Sequence, residues 1–155
     1  LAHDKFLTEM SQSQILLIAP GLITTRCAFY YETPTIFLPA SNDSQYLQLE
    51  EFRNLGLAPA SVGLSDFLPK LDILHLPGKE STKLVLDQLR LLEKSPDIQV
   101  KIGSRIKKLI QTSNTWSKES VAKGKAYIDS LGGNGANLAT EKIIKLIDSK
   151  TSAQS

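Results

Sequence analysis

Gly21, Thr24 and Thr25 stand just after a first apolar run, and Asp43, Ser44 and Gln45 stand just after a second one that ends at Pro39. The first set offers backbone N–H groups at a helix entry and two hydroxyls, donors that suit a diphosphate. The second offers a carboxylate, a hydroxyl and an amide, a mixture that suits the hydroxyls of a sugar. The same residues also fit a simpler account, in which Gly21 closes a tight turn and the polar loop around Asp43 caps a helix.

Setting two such groups beside each other requires strand, turn and helix, twice over. Residues 14–19 form a continuous apolar run suited to a strand buried on both faces. A helix over 22–31 follows, stopped by Glu32-Thr33-Pro34, because the residue before proline is pushed out of the α region. Residues 35–39 form the next buried strand. Ser41, Asp43 or Ser44 then caps a helix over 45–55, with Gly56 as its stop. A third short strand is expected within 57–64, and a short helix plus loop within 65–78. From Glu80 onward the pattern is helical. Leu84 to Leu92 form one helix ended at Ser95-Pro96, Ile98 to Ile110 a second, residues 121–131 a third, and Leu138 to Ile147 a fourth. A short helix over 2–12 precedes the first strand.

This alternation predicts an α/β fold with a parallel sheet and a helix-rich C-terminal part. Residues 1–150 read as a single α/β domain and 151–155 as a polar, frayed tail. Ligands of such sheets sit outside the carboxyl ends of the strands, where both polar groups fall. Two or three strands make a thin sheet. The chain also starts at Leu1 with no initiator methionine, so it reads as a piece of a longer protein with further strands upstream. An exposed strand edge would invite pairing with a second copy.

Composition narrows the alternatives. With 41% hydrophobic and 22% charged residues, the 155-residue chain has the make-up of an ordinary globular domain. Its net charge of +2 is too small to argue for nucleic acid or membrane. The charge is uneven, with three basic residues against seven acids over 1–69, a balance of −4 that leaves +6 for the rest. Lys101, Arg105, Lys107 and Lys108 fall on the polar face of a helix and read as solvated surface. One cysteine excludes an intramolecular disulfide. No apolar run is long enough for a membrane span, and no signal peptide is visible, which points to the cytoplasm. Two histidines without ligand spacing give no metal site. Gly78-Lys79-Glu80-Ser81 lacks the upstream glycine of a phosphate loop and reads as a helix start.

Taken together, Gly21-Leu22-Ile23-Thr24-Thr25, then Pro34-Thr35-Ile36-Phe37-Leu38-Pro39, Asp43-Ser44-Gln45 and Leu55-Gly56-Leu57 resemble the donor-binding C-terminal half of GT-B glycosyltransferases. The nearest likeness is to UDP-glycosyltransferases and the peptidoglycan N-acetylglucosaminyltransferase. Gly132-Gly133-Asn134-Gly135-Ala136, with Ala139 and Ile143, resembles the late helix of such chains.

The resemblance implies a partial Rossmann-like sheet in which Gly21, Thr24 and Thr25 face the donor diphosphate and Asp43, Ser44 and Gln45 face the donor sugar. It implies a nucleoside-diphosphate sugar, UDP-linked, as substrate, with no separate cofactor and no metal. An acceptor domain would lie upstream, and in the peptidoglycan enzyme's manner the protein would sit in the cytoplasm or peripherally at a membrane. The catalytic base would come from that upstream domain, so none is assigned here. The pattern departs from the family at Cys27, where a ribose-binding glutamate is usual, and at Ala19-Pro20 before the turn. A non-catalytic scaffold with the same ancestry is the alternative.

Overall fold

The computed structural model describes residues 3–131. Its elements run α1 (His3–Gln12), β1 (Leu16–Ile18), α2 (Leu22–Tyr30), β2 (Thr35–Phe37), α3 (Asp43–Asn54), a 3-10 turn (Leu64–Asp66), α4 (Gly78–Glu93), α5 (Pro96–Gln111) and α6 (Ser113–Ser130). The chain is therefore α/β and helix-rich, around a small parallel sheet. The expected helix over Leu138 to Ile147 and the Gly132-Gly133-Asn134-Gly135 turn lie outside the described residues.

β1 and β2 pair in parallel, with Leu16 opposite Thr35 and Ile18 opposite Phe37. A parallel pair needs a crossover, and α2 supplies it. The two strands differ in burial. All of β2 is buried, whereas Leu17 of β1 is exposed. The sequence expectation of a first strand covered on both faces is thus corrected: an apolar run of this length cannot distinguish an edge from a centre. The expected third strand shrinks to one parallel bridge, Phe37 to Ser61, with Phe37 N–H donating to the Ala60 carbonyl and Val62 N–H to that of Phe37. Pro59 limits pairing on one side of that bridge, and Gly63 weakens strand character on the other.

Helix ends explain most of the boundaries. Gly56 has φ +69 and follows the last turn of α3. Its N–H donates to the Arg53 carbonyl and that of Leu57 to the Phe52 carbonyl, the paired bonds of a Schellman stop. α2 ends the same way, Glu32 N–H on Phe29 and Thr33 N–H on Ala28, but with Glu32 itself at φ 57. Pro96 opens α5 from its first turn, where its missing N–H costs nothing. α6 begins eight residues before the expected start, because Trp116 anchors it. That indole is buried against Ile36 and Ala60 and donates to the Leu109 carbonyl at 2.9 Å.

The core is aromatic where α2, α3 and α6 meet the sheet. Phe29 lies 5.7 Å from Phe52 and 6.3 Å from both Phe37 and Tyr127, ring centre to ring centre, at tilted or edge-on angles that suit the ring quadrupoles. α6 approaches closely because it carries Gly124 at the contact. A Cβ built there would fall 2.6 Å from the Phe29 ring. A second cluster, Ala40, Tyr46, Leu64, Ile73 and Val85, joins α3 to α4.

Candidate functional site

Parallel pairing sends both strands out of the same end of the sheet. Ile18 leads into Ala19-Pro20-Gly21, Phe37 leads into residues 38–42, and Leu38 N–H still donates to the Ile18 carbonyl at 2.8 Å. The starts of α2 and α3 therefore follow two adjacent strand ends, the arrangement in which open α/β sheets hold ligands.

Gly21 is the N-cap of α2, with φ −91 and no side-chain cap. Its N–H donates to the Ala19 carbonyl at 2.7 Å, so it is not among the free donors. Those are the N–H groups of Leu22, Ile23 and Thr24, which lie in the first turn and have no carbonyl four residues back to reach. The backbone does not require glycine at this φ. An added Cβ would meet only Ala19 O and Thr24 Oγ1, each at 4.0 Å. The missing side chain leaves open space next to the Thr24 hydroxyl. Thr24 is half-buried.

Thr25 corrects the sequence expectation. It has no exposed surface, and its Oγ1 has no hydrogen-bond partner. It sits on the α2 face that also buries Ala28 and Phe29, so its hydroxyl points into packing and does not face a ligand in solvent.

In the second turn the cap is Asn42, not the Ser41, Asp43 or Ser44 that the sequence suggested. Asn42 Oδ1 accepts from Gln45 N–H at 2.9 Å, because the residue before the helix, with extended φ −151, is the one that can turn its side chain onto the first turn. Gln45 Oε1 accepts from the N–H and the hydroxyl of Ser41, at 2.9 and 2.7 Å. Its amide NH2 is left without a partner among the described residues. Ser44 is exposed.

Asp43 Oδ1 accepts from Ser44 N–H at 2.9 Å and Oδ2 from the Ser81 hydroxyl at 2.6 Å. The Ser81 hydrogen bond, aided by those from Ser44 and Thr82, holds the Asp43 carboxyl below its usual range against the opposing effect of desolvation. Each oxygen keeps lone-pair capacity for a further donor.

Two features escaped the sequence. Arg53 donates to Ser61 at 2.9 Å and Asp66 at 2.8 Å and pairs with Glu50 at 3.3 Å, while Lys70 pairs with Glu50 at 3.0 Å. Burial alone would raise the Glu50 pKa. The Lys70 and Ser65 hydrogen bonds and the Lys70 and Arg53 charges outweigh it, and the net shift is downward. This network ties α3 to residues 61–70. The second feature is a cavity of about 460 Å³ walled by Leu7, Arg26, Cys27, Tyr30 and Ile128, among others. Cys27 is partly exposed on that wall. A helix of nine residues with exposed Leu22, Ile23 and Tyr30 has no clean apolar face from which its orientation could be read.

Among the described residues, no group of three or more His, Cys, Asp and Glu side chains could hold a metal ion, and no helix is long and apolar enough to cross a membrane. No family model, curated protein or solved structure matches the chain.

Proposed function

We propose that the chain is the donor-binding half of a GT-B-like glycosyltransferase, with a partial Rossmann-like sheet, acting on a nucleoside-diphosphate sugar. The observation that carries this reading is the parallel register of β1 and β2, which makes the entries of α2 and α3 neighbours at the carboxyl ends of the strands. The N–H groups of Leu22, Ile23 and Thr24 and the Thr24 hydroxyl would receive the diphosphate, with Gly21 leaving room for it. Oriented dipoles of that kind stabilise the charge that develops on a departing diphosphate. Asp43, Ser44 and the Gln45 amide would meet the sugar hydroxyls. Thr25 takes no part.

The test is calorimetry of the chain with UDP, GDP and TDP and with the UDP-sugars, alongside Thr24→Val. We expect a nucleoside diphosphate to bind, with affinity lowered about ten-fold by loss of the Thr24 hydroxyl. Absence of heat with every nucleotide up to millimolar concentration would overturn the reading.

A second reading, a non-catalytic scaffold of the same ancestry, is favoured by two specific observations. Both Asp43 oxygens and Gln45 Oε1 are already engaged within the chain, and Cys27 stands where the resembled family carries a ribose-binding glutamate. It predicts no nucleotide binding at all. In either case β1 is an edge for which no second described partner strand exists, and self-association through it is expected. Light scattering that reports a monomer at high concentration would remove that expectation.

A further inference from the structure

α5 has sixteen residues and none of them is buried. Its aliphatic face is only half covered, and Val100, on the outer side, is 68% exposed. After Asp97 in the first turn the helix carries four cations and no acid. Lys101, Arg105 and Lys108 recur at the spacing that stacks them in one stripe, where like charges repel. Arg105 and Lys108, with the hydroxyl-bearing Ser104 and Thr112, line a cavity of about 520 Å³ that no described carboxylate lines. Arg105 reaches Asp66 at 3.9 Å. Lys101, Lys107 and Lys108 pair with no carboxylate among the described residues, whereas Lys123 and Lys125 of α6 each have one a turn away.

α4 repeats the pattern more weakly. Lys79, Lys83, Leu86 and Arg90 share a cavity of about 360 Å³, although Asp87 pairs with Arg90 at 3.0 Å and Glu80 and Glu93 balance the charge of that helix.

We propose that the outer face of α5 is a docking face for an anionic membrane surface, with the lysines reading lipid phosphates. Clustered Lys and Arg on an amphipathic surface helix are the pattern that anionic headgroups attract. Val100, exposed beside the α5 cations, favours a bilayer interface. Neither helix has an aromatic residue on which a base could stack, which disfavours single-stranded nucleic acid. The inference does not depend on the donor-site reading, because none of the proposed donor-site residues lies on α4 or α5.

The experiment is co-sedimentation of the chain with vesicles of phosphatidylcholine alone and of phosphatidylcholine with about one-third phosphatidylglycerol, at low and high salt. We expect binding to the anionic vesicles only, weakening as salt rises. The triple variant Lys101→Gln, Lys107→Gln, Lys108→Gln should partition at least about ten-fold less. The exposed control pair Lys5→Gln, Lys118→Gln should bind as the parent does. The three α5 lysines are exposed and pair with no carboxylate among the described residues, so the variant keeps its fold, checked by circular dichroism. Equal binding to the neutral vesicles, an unchanged triple variant or an equal loss in the control pair would overturn the proposal. So would displacement by millimolar inorganic phosphate at constant ionic strength, which would indicate a soluble phosphate ligand. Equally tight binding to duplex DNA would assign the face to nucleic acid instead.

Discussion

The Ser81 hydroxyl donates to the Asp43 carboxylate across 2.6 Å, joining the first turn of α4 to the first turn of α3 over a sequence separation of 38 residues. An ionised acceptor makes such a bond short and strong, and it fixes a side chain proposed to face the donor sugar.

Removing that hydroxyl has a pH signature. The folded pKa of Asp43 lies below the ordinary 3.8, so the bond adds stability that is fully present above the unfolded pKa. That stability is lost as pH falls through the folded value. In Ser81→Ala the Asp43 carboxyl should titrate closer to its ordinary value, as read by carboxyl-carbon NMR. The variant should be less stable than the parent at neutral pH, with the difference shrinking in strong acid. An Asp43 titration unchanged by the substitution would count against this account.

The orphaned Thr25 hydroxyl predicts a gain. Valine has nearly the same shape and no polar atom to leave unpaired, so Thr25→Val should stabilise the fold by about 1 kcal/mol. Urea unfolding measures it. A destabilised Thr25→Val would mean that the hydroxyl has a partner after all.

At Glu32 the left-handed φ of 57 costs a side chain roughly 1 kcal/mol. Glu32→Gly relieves it, and the greater freedom of glycine in the unfolded chain takes back part of the gain. The net expectation is a rise in unfolding free energy of about 0.5 kcal/mol. A clear loss on chemical denaturation would contradict it.

Gly124→Ala sets helix propensity against packing. Alanine is favoured in a helix interior by about 1 kcal/mol. Its Cβ would press on the buried Phe29 ring, which Phe37, Phe52 and Tyr127 hold in place. Overpacking of that kind costs about 1–3 kcal/mol, so a net loss of about 1 kcal/mol is expected. Thermal unfolding at or above the parent midpoint would show that α6 can shift.

Cys27→Glu tests the donor reading from the opposite side. If the Cys27 wall faces the ribose, a carboxylate there accepts two hydroxyl hydrogen bonds that a thiol cannot. Affinity for a nucleoside diphosphate should then rise about ten-fold in calorimetry. Unchanged affinity would place the ribose elsewhere.

The local punctuation of the chain was legible in the sequence. Gly56 and Pro96 act within one or two residues of themselves, and each marks the helix boundary expected of it, while α2 stops at Tyr30, four residues before Pro34. The parallel strand pair was legible for a similar reason, since strand, helix and strand follow one another without interruption. What escaped depends on partners far along the chain. Nothing near Asp43 announces Ser81, and nothing near Arg53 announces Asp66. The burial of Thr25 depended on which side of a short helix turned inward, and α2 has exposed aliphatic residues that blur that side. The start of α6 was hidden because Ser, Thr and Asn around Trp116 carry no helical periodicity, and only the buried indole shows why the helix begins there.

The parallel register of β1 and β2 has a consequence for inheritance. Both polar turns and the helix between them lie within one uninterrupted stretch, residues 16–45. A genetic crossover within that stretch would separate the two turns, while one on either side would carry both into a new protein together. The two turns would travel together, but only into a protein whose helices cover Phe29, Ile36 and Phe37 as Phe52, Trp116 and Tyr127 do here.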